Sequence, residues 1–181
     1  AIMSTIHTEK CKRCKMMNKS LIQVICGPGR GKTTGAIGRG IVALGSGKSV
    51  IMVQFLKGSM DADKMEVIKR LEPEFKVFRF EKSCTRFEEL SPQEKEDARA
   101  SIRNGINFAR KVLVTGECDI LILDEILGIL DEGIITSEEL IMLIDQARQG
   151  DAQLILTGTK CPVELAEKAD EITVIQTEDR V

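Results

Sequence analysis

The sequence predicts an α/β fold in three layers, a mainly parallel six-stranded sheet with helices on both faces. Three observations predict it. Short apolar runs alternate with segments of helical period along the chain, the pattern of strands joined by helical crossovers. The first run, 21–25, leads into the turn Cys26-Gly27-Pro28-Gly29-Arg30-Gly31-Lys32-Thr33-Thr34 and then a helix predicted over 32–44. A later run, Ile120-Leu121-Ile122-Leu123, ends on two carboxylates, Asp124 and Glu125.

Composition bounds the class. The 181 residues suffice for one domain with a buried core. With 43% hydrophobic and 30% charged residues, the chain is ordinary for a soluble globular protein. A net charge of −2 leaves no basic footprint for nucleic acid. No apolar run approaches the ~20 residues of a membrane span. A soluble cytoplasmic protein is expected, with neither nucleic acid nor membrane as partner. Six cysteines in such a chain argue against a disulfide framework. Trp and Tyr are absent, so aromatic platforms for stacking a base are few.

Residues 1–19 are read as an N-terminal arm, and 20–181 as one nucleotide-binding domain. In the arm, His7, Cys11 and Cys14 lie in a Lys-rich segment and offer three zinc ligands. A closed site needs a fourth, which a second arm across a dimer axis would bring. The alternative is an arm without metal.

The turn after the first run has the layout of a phosphate-binding P-loop. Glycines let backbone N–H groups converge on a phosphate, and the helix N-terminus adds partial positive charge. Gly27, Gly29, Arg30, Gly31, Lys32, Thr33 and Thr34 are therefore the expected binding loop. Lys32 reaches for the terminal phosphates, and the Thr33 hydroxyl for Mg²⁺ (or Mn²⁺). One departure is visible: the usual pattern has Gly five residues before Gly31, where this chain has Cys26.

Gly45-Ser46-Gly47 stops the first helix. The run 49–55 then reads as a strand buried on both faces. A helix is expected over 60–71, ended by Pro73, and a third strand over 75–80. Ser91-Pro92-Gln93-Glu94 is a helix start, with Ser as cap, Pro first and Glu third, and the helix runs to about 114. The fourth strand carries Asp124 and Glu125 to the carboxyl edge of the sheet, where the P-loop also lies. There a carboxylate holds Mg²⁺ directly or through water. Thr136-Ser137-Glu138-Glu139 opens another helix, ended by Gly150. A strand over 153–158, a short helix over 162–169 and a strand over 171–176 complete the pattern.

Taken together, several of these segments resemble the P-loop type of ATP:cob(I)alamin (corrinoid) adenosyltransferase. They are the loop 27–34, the run Val53-Gln54-Phe55-Leu56-Lys57-Gly58, the strand 119–126, and Leu156-Thr157-Gly158 with Pro162, Leu165 and Ala169-Asp170. That family also lacks the first loop glycine. The resemblance implies a three-layer P-loop NTPase (RecA-like) fold, a homodimer, and an enzyme of adenosylcobalamin synthesis or salvage. The implied reaction moves the 5′-deoxyadenosyl group of ATP to the Co(I) of a reduced corrinoid and releases tripolyphosphate. ATP is held in reversed orientation, with its γ-phosphate in the loop. An electron donor such as a flavoprotein supplies the reduced corrinoid. On this resemblance Lys32 and Glu125 are catalytic, and Thr33, Asp124 and Glu125 serve Mg²⁺. Gln54 and Lys57 join the loop residues in binding. The family carries an Arg where this chain has Val42, and Arg39, three residues earlier on the same helical face, is read either as its substitute or as a solvated helix charge. In the corrinoid-facing loop, Cys84-Thr85-Arg86-Phe87 stands where the family has aromatics, which leaves Phe87 to help displace the lower axial ligand. Two other readings stay open: a P-loop ATPase or small-molecule kinase with Glu125 as base, and a non-catalytic relative that binds ATP or corrinoid.

Overall fold

The computed structural model describes residues 20–56, 62–80 and 87–178. In chain order these form β1 (Ile22–Cys26), α1 (Lys32–Leu44), β2 (Val50–Gln54), α2 (Ala62–Lys69) and β3 (Phe75–Arg79). A 3₁₀ turn (Phe87–Glu89) precedes α3 (Pro92–Thr115), β4 (Ile120–Asp124), α4 (Ile126–Asp131) and α5 (Ser137–Gln149). Then come β5 (Gln153–Thr157), α6 (Val163–Ala166) and β6 (Glu171–Val174). The six strands make one sheet in the order β3-β2-β4-β5-β1-β6. Every pairing is parallel, so the expected "mainly parallel" sheet is parallel throughout.

Two clusters of apolar side chains cover the two faces. Alternate residues of each strand point to opposite faces. Val50, Met52, Ile120 and Ile122 therefore meet Ala36 of α1 and Ile68 of α2 on one face. Ile51, Val53, Leu121 and Leu123 meet α3 to α6 on the other. α1 lies close to the sheet because Gly40 leaves room for Phe75: a Cβ there would come within 2.6 Å of the Phe75 ring.

The helix starts follow the expected chemistry. Ser91 and Thr136 each accept from the backbone N–H three residues on, while Glu94 and Glu139 reach back to the cap N–H. Glycine closes α3, with Gly116 in the left-handed region at φ 65°. α4 was not expected. Its residues Ile126, Leu127 and Ile129 are all buried, and it begins directly after β4 with no side-chain cap. Tertiary burial, not local signals, makes this turn helical.

Candidate active site

β1 and β4 are separated in the sheet only by β5, and both end at the same edge. The P-loop leaves β1 there and turns into α1 at Gly31, whose φ of 106° favours glycine. Gly27, at φ 114°, is required for a second reason: a Cβ on it would sit 2.3 Å from the carbonyl oxygen of Ile175. The segment after β6 thus runs against the loop. Gly29 N–H donates to the Ile175 carbonyl at 2.9 Å, and Arg30 N–H to Thr177 Oγ1 at 2.9 Å. Gly27 N–H donates to the carbonyl of Thr159 at 2.9 Å.

Cys26, in the place of the usual first glycine, is the last residue of β1. Its side chain joins the core cluster on the face away from α1. Burial pushes its thiol up and nearby Lys32 partly offsets this, so the group is a packed thiol and not a thiolate nucleophile. The ammonium of Lys32 folds over the loop and donates to the carbonyls of Gly27 and Gly29, each at 2.8 Å. Thr34 is exposed on the first turn of α1.

The feature that joins the two motifs is Asp124. Its side chain is fully buried. Thr33 Oγ1 lies 3.0 and 3.2 Å from its two oxygens, Thr157 Oγ1 donates to Oδ1 at 2.7 Å, and Gln54 Nε2 donates to Oδ2 at 3.2 Å. Among the described residues four polar side chains are buried, and Gln54, Asp124 and Thr157 are three of them. Placing these costly groups in one mutually satisfied network concentrates the buried polarity where the P-loop meets the sheet. The network follows from register. Gln54 pairs with Asp124 across β2 and β4, and Arg79 pairs with Gln54 across β3 and β2. These side chains share the α1 face at the carboxyl ends of their strands. Arg79 Nε donates to Gln54 Oε1 at 2.9 Å. Since Nε only donates, Gln54 turns its oxygen to Arg79 and its NH₂ to Asp124.

Glu125 follows in the left-handed region at φ 63° and forms the N-cap of α4. Its N–H donates to Thr157 Oγ1 at 2.9 Å, so one threonine orients both acidic residues. Its carboxylate turns toward Gly128, where a Cβ would lie 3.4 Å from Oε2. Thr33 and Asp124 bring hard oxygen donors together, with Glu125 next in the chain, donor chemistry that suits Mg²⁺ rather than a softer metal. Among the described residues no three His, Cys, Asp or Glu side chains gather into a group that could hold a metal ion.

Two expected binding residues lie apart from this network. Arg39 donates to Glu171 Oε1 at 2.8 Å and Thr173 Oγ1 at 3.0 Å. It ties α1 to the edge strand β6, and bonds from Gln23 and Arg39 hold the Glu171 carboxyl below its usual range. The neighbouring Val42 is 77% exposed. Phe87 is buried in the core cluster beneath the Arg99 guanidinium, which stands 5.7 Å from its ring centroid. Its ring is packed into that cluster. Lys57, Cys11, Cys14 and His7 lie outside the described residues, as do Cys84, Thr85 and Arg86. Arg79 and Thr157 are the functional candidates that sequence reasoning left out of the site. The signal was available only as a polar residue closing each of several strands.

A parallel sheet with a P-loop at one strand end and paired acids at another defines a P-loop nucleotide-binding protein. A solved KaiC-like protein from Pyrococcus horikoshii shares the fold, with a TM-score of 0.57 and 17% identity over 86% of this chain and 70% of that one. The family model ATP:corrinoid adenosyltransferase BtuR/CobO/CobP matches residues 18–180, and the chain belongs to that enzyme family. Curated relatives include the corrinoid adenosyltransferase of Escherichia coli K12, 28% identical over 87% of this chain and 77% of that protein. The Salmonella typhimurium enzyme CobA has the same identity and coverage. The Pseudomonas aeruginosa corrinoid adenosyltransferase is 26% identical over 92% of this chain and 85% of its own length. Among the described residues no helix is long and apolar enough to cross a membrane.

Proposed function

We propose that the protein transfers the 5′-deoxyadenosyl group of ATP to the cobalt of a reduced corrinoid, releasing tripolyphosphate. The observation that carries this reading is the Thr33–Asp124 contact at 3.0 Å, which places the phosphate loop and the acidic strand end at one point. Family membership directs the choice among P-loop chemistries.

The chemistry asks little covalent work of the protein. The Co(I) substrate supplies an electron pair to C5′, the Co–C bond forms, and the C5′–O bond breaks. Cobalt is formally oxidised by two electrons, and the leaving oxygen departs with the triphosphate. The chain must hold C5′ toward the corrinoid and stabilise charge on the departing chain of phosphates. With ATP reversed, the loop grips the γ-phosphate and leaves C5′ outside. Lys32 exchanges its bonds with the Gly27 and Gly29 carbonyls for phosphate oxygens. The N–H groups at the start of α1, with the Thr34 hydroxyl, complete the cradle. Thr33, Asp124 and Glu125 would hold Mg²⁺, which when bound neutralises phosphate charge. Gln54 keeps Asp124 oriented, and Lys57 is assigned to nucleotide binding on the family resemblance. A homodimer in the cytoplasm, fed with reduced corrinoid by a flavoprotein, completes the proposal.

One assay tests it. The protein is incubated with ATP, Mg²⁺ and chemically reduced cobalamin, and the visible spectrum and phosphate products are followed. Adenosylcobalamin with stoichiometric tripolyphosphate is the expected result. ADP and phosphate without a cobalt–carbon product would overturn it in favour of an ATPase or kinase.

A further inference from the structure

We infer that Arg79 is a positioning residue for the metal–nucleotide complex, acting on Asp124 through Gln54. The inference rests on the proposed function for its ligand, Mg²⁺-bound ATP. Arg79 closes β3 at the outer edge of the sheet, two strands from Asp124. It is exposed, and among the described residues it forms no ion pair. Its Nε is instead committed to the oxygen of a 2%-exposed glutamine. Phe78 and Phe80, on either side of it, point to the opposite face and stack on Phe108, with centroids 4.5 and 5.6 Å apart. The strand end carrying Arg79 is thereby fixed on that side.

The consequence is electrostatic. A glutamine amide is nearly symmetric in shape, and a flip would turn Oε1 onto the Asp124 carboxylate, where two acceptors repel. Arg79 removes that choice, because a flip would also set the NH₂ against a guanidinium donor. Gln54 then always donates to Oδ2, and the carboxylate stays turned toward Thr33. A row of side chains three strands wide thus holds the acid that accepts from the P-loop threonine. Such outer partners typically shift metal affinity about 10- to 100-fold when removed.

The test measures nucleotide binding by calorimetry, with ATP in Mg²⁺ and with ATP in EDTA, without corrinoid. R79M is expected to raise Kd for ATP in Mg²⁺ about tenfold and leave Kd in EDTA within about twofold. R79K keeps one donor for Gln54 Oε1 and is expected to stay within about threefold of wild type in Mg²⁺. Equal weakening of R79M with and without Mg²⁺ overturns the inference, as does no weakening at all. So does an R79K as impaired as R79M, since the guanidinium itself would then be the ligand. Because no corrinoid is present, the result stands whether or not the adenosyl transfer assay succeeds.

Discussion

Lys32→Ala is expected to abolish ATP turnover, lowering kcat/KM for adenosyl transfer by about a thousandfold. The ammonium lies over the loop, held by the Gly27 and Gly29 carbonyls at 2.8 Å. Those carbonyls hold it in the bowl without burying it, so the lysine is ready to move onto phosphate oxygen. Methyl in its place leaves the triphosphate charge uncompensated as the C5′–O bond breaks. Lys32 contributes little to the core, so the urea midpoint of the variant should match wild type. Rates would be read from the spectrum of pre-reduced corrinoid, which removes the reduction step from the comparison. Retention of more than about a tenth of the activity would falsify the assignment of this loop to phosphate binding.

Asp124→Asn is expected to damage both binding and stability. The wild-type carboxylate accepts from Thr33, Thr157 and Gln54. An amide there must point its NH₂ at one of them. The hydroxyls can rotate away, but Gln54 is held with its NH₂ inward by Arg79. The NH₂ therefore takes the Thr157 side, and a buried hydroxyl that loses its acceptor costs about 1–3 kcal/mol, which urea unfolding would resolve. Loss of the negative charge should weaken ATP binding in Mg²⁺ by about a hundredfold. A variant with wild-type Kd in Mg²⁺ would show that this acid does not serve the metal.

Much of the fold was legible because its signals are local. The glycines of the loop, the apolar run before it and the helix after it placed α1 to the residue, over Lys32–Leu44. The two capping boxes at Ser91 and Thr136 announced α3 and α5 in the same way. Asp124 and Thr33 could be expected to approach because both sit at carboxyl ends in a parallel sheet. What stayed hidden depends on neighbours distant in sequence. α4 has no side-chain cap bond and exists because its apolar residues fill the space beneath β5, where Gly158 lets Leu127 approach. The partners of Arg39, Glu171 and Thr173, come from the edge strand, more than 130 residues away in the chain. The burial of Phe87 likewise depends on distant neighbours, because an apolar ring beside the core is drawn inward. Arg79 and Gln54 meet only because β2 and β3 are in register, which no single-strand pattern encodes.

The contacts of the loop with Ile175 and Thr177 bear on how the protein is made. β1 sits between β5 and β6, and both neighbours come from the far end of the chain. Arg30 and Thr177, joined across the loop, are 147 residues apart. During synthesis the phosphate loop emerges early, but its strand has nothing to pair with until nearly the whole domain has left the ribosome. Contacts of such long sequence separation form late and slowly. The nascent chain therefore carries the nucleotide motif without the nucleotide site, and ATP meets only a completed molecule.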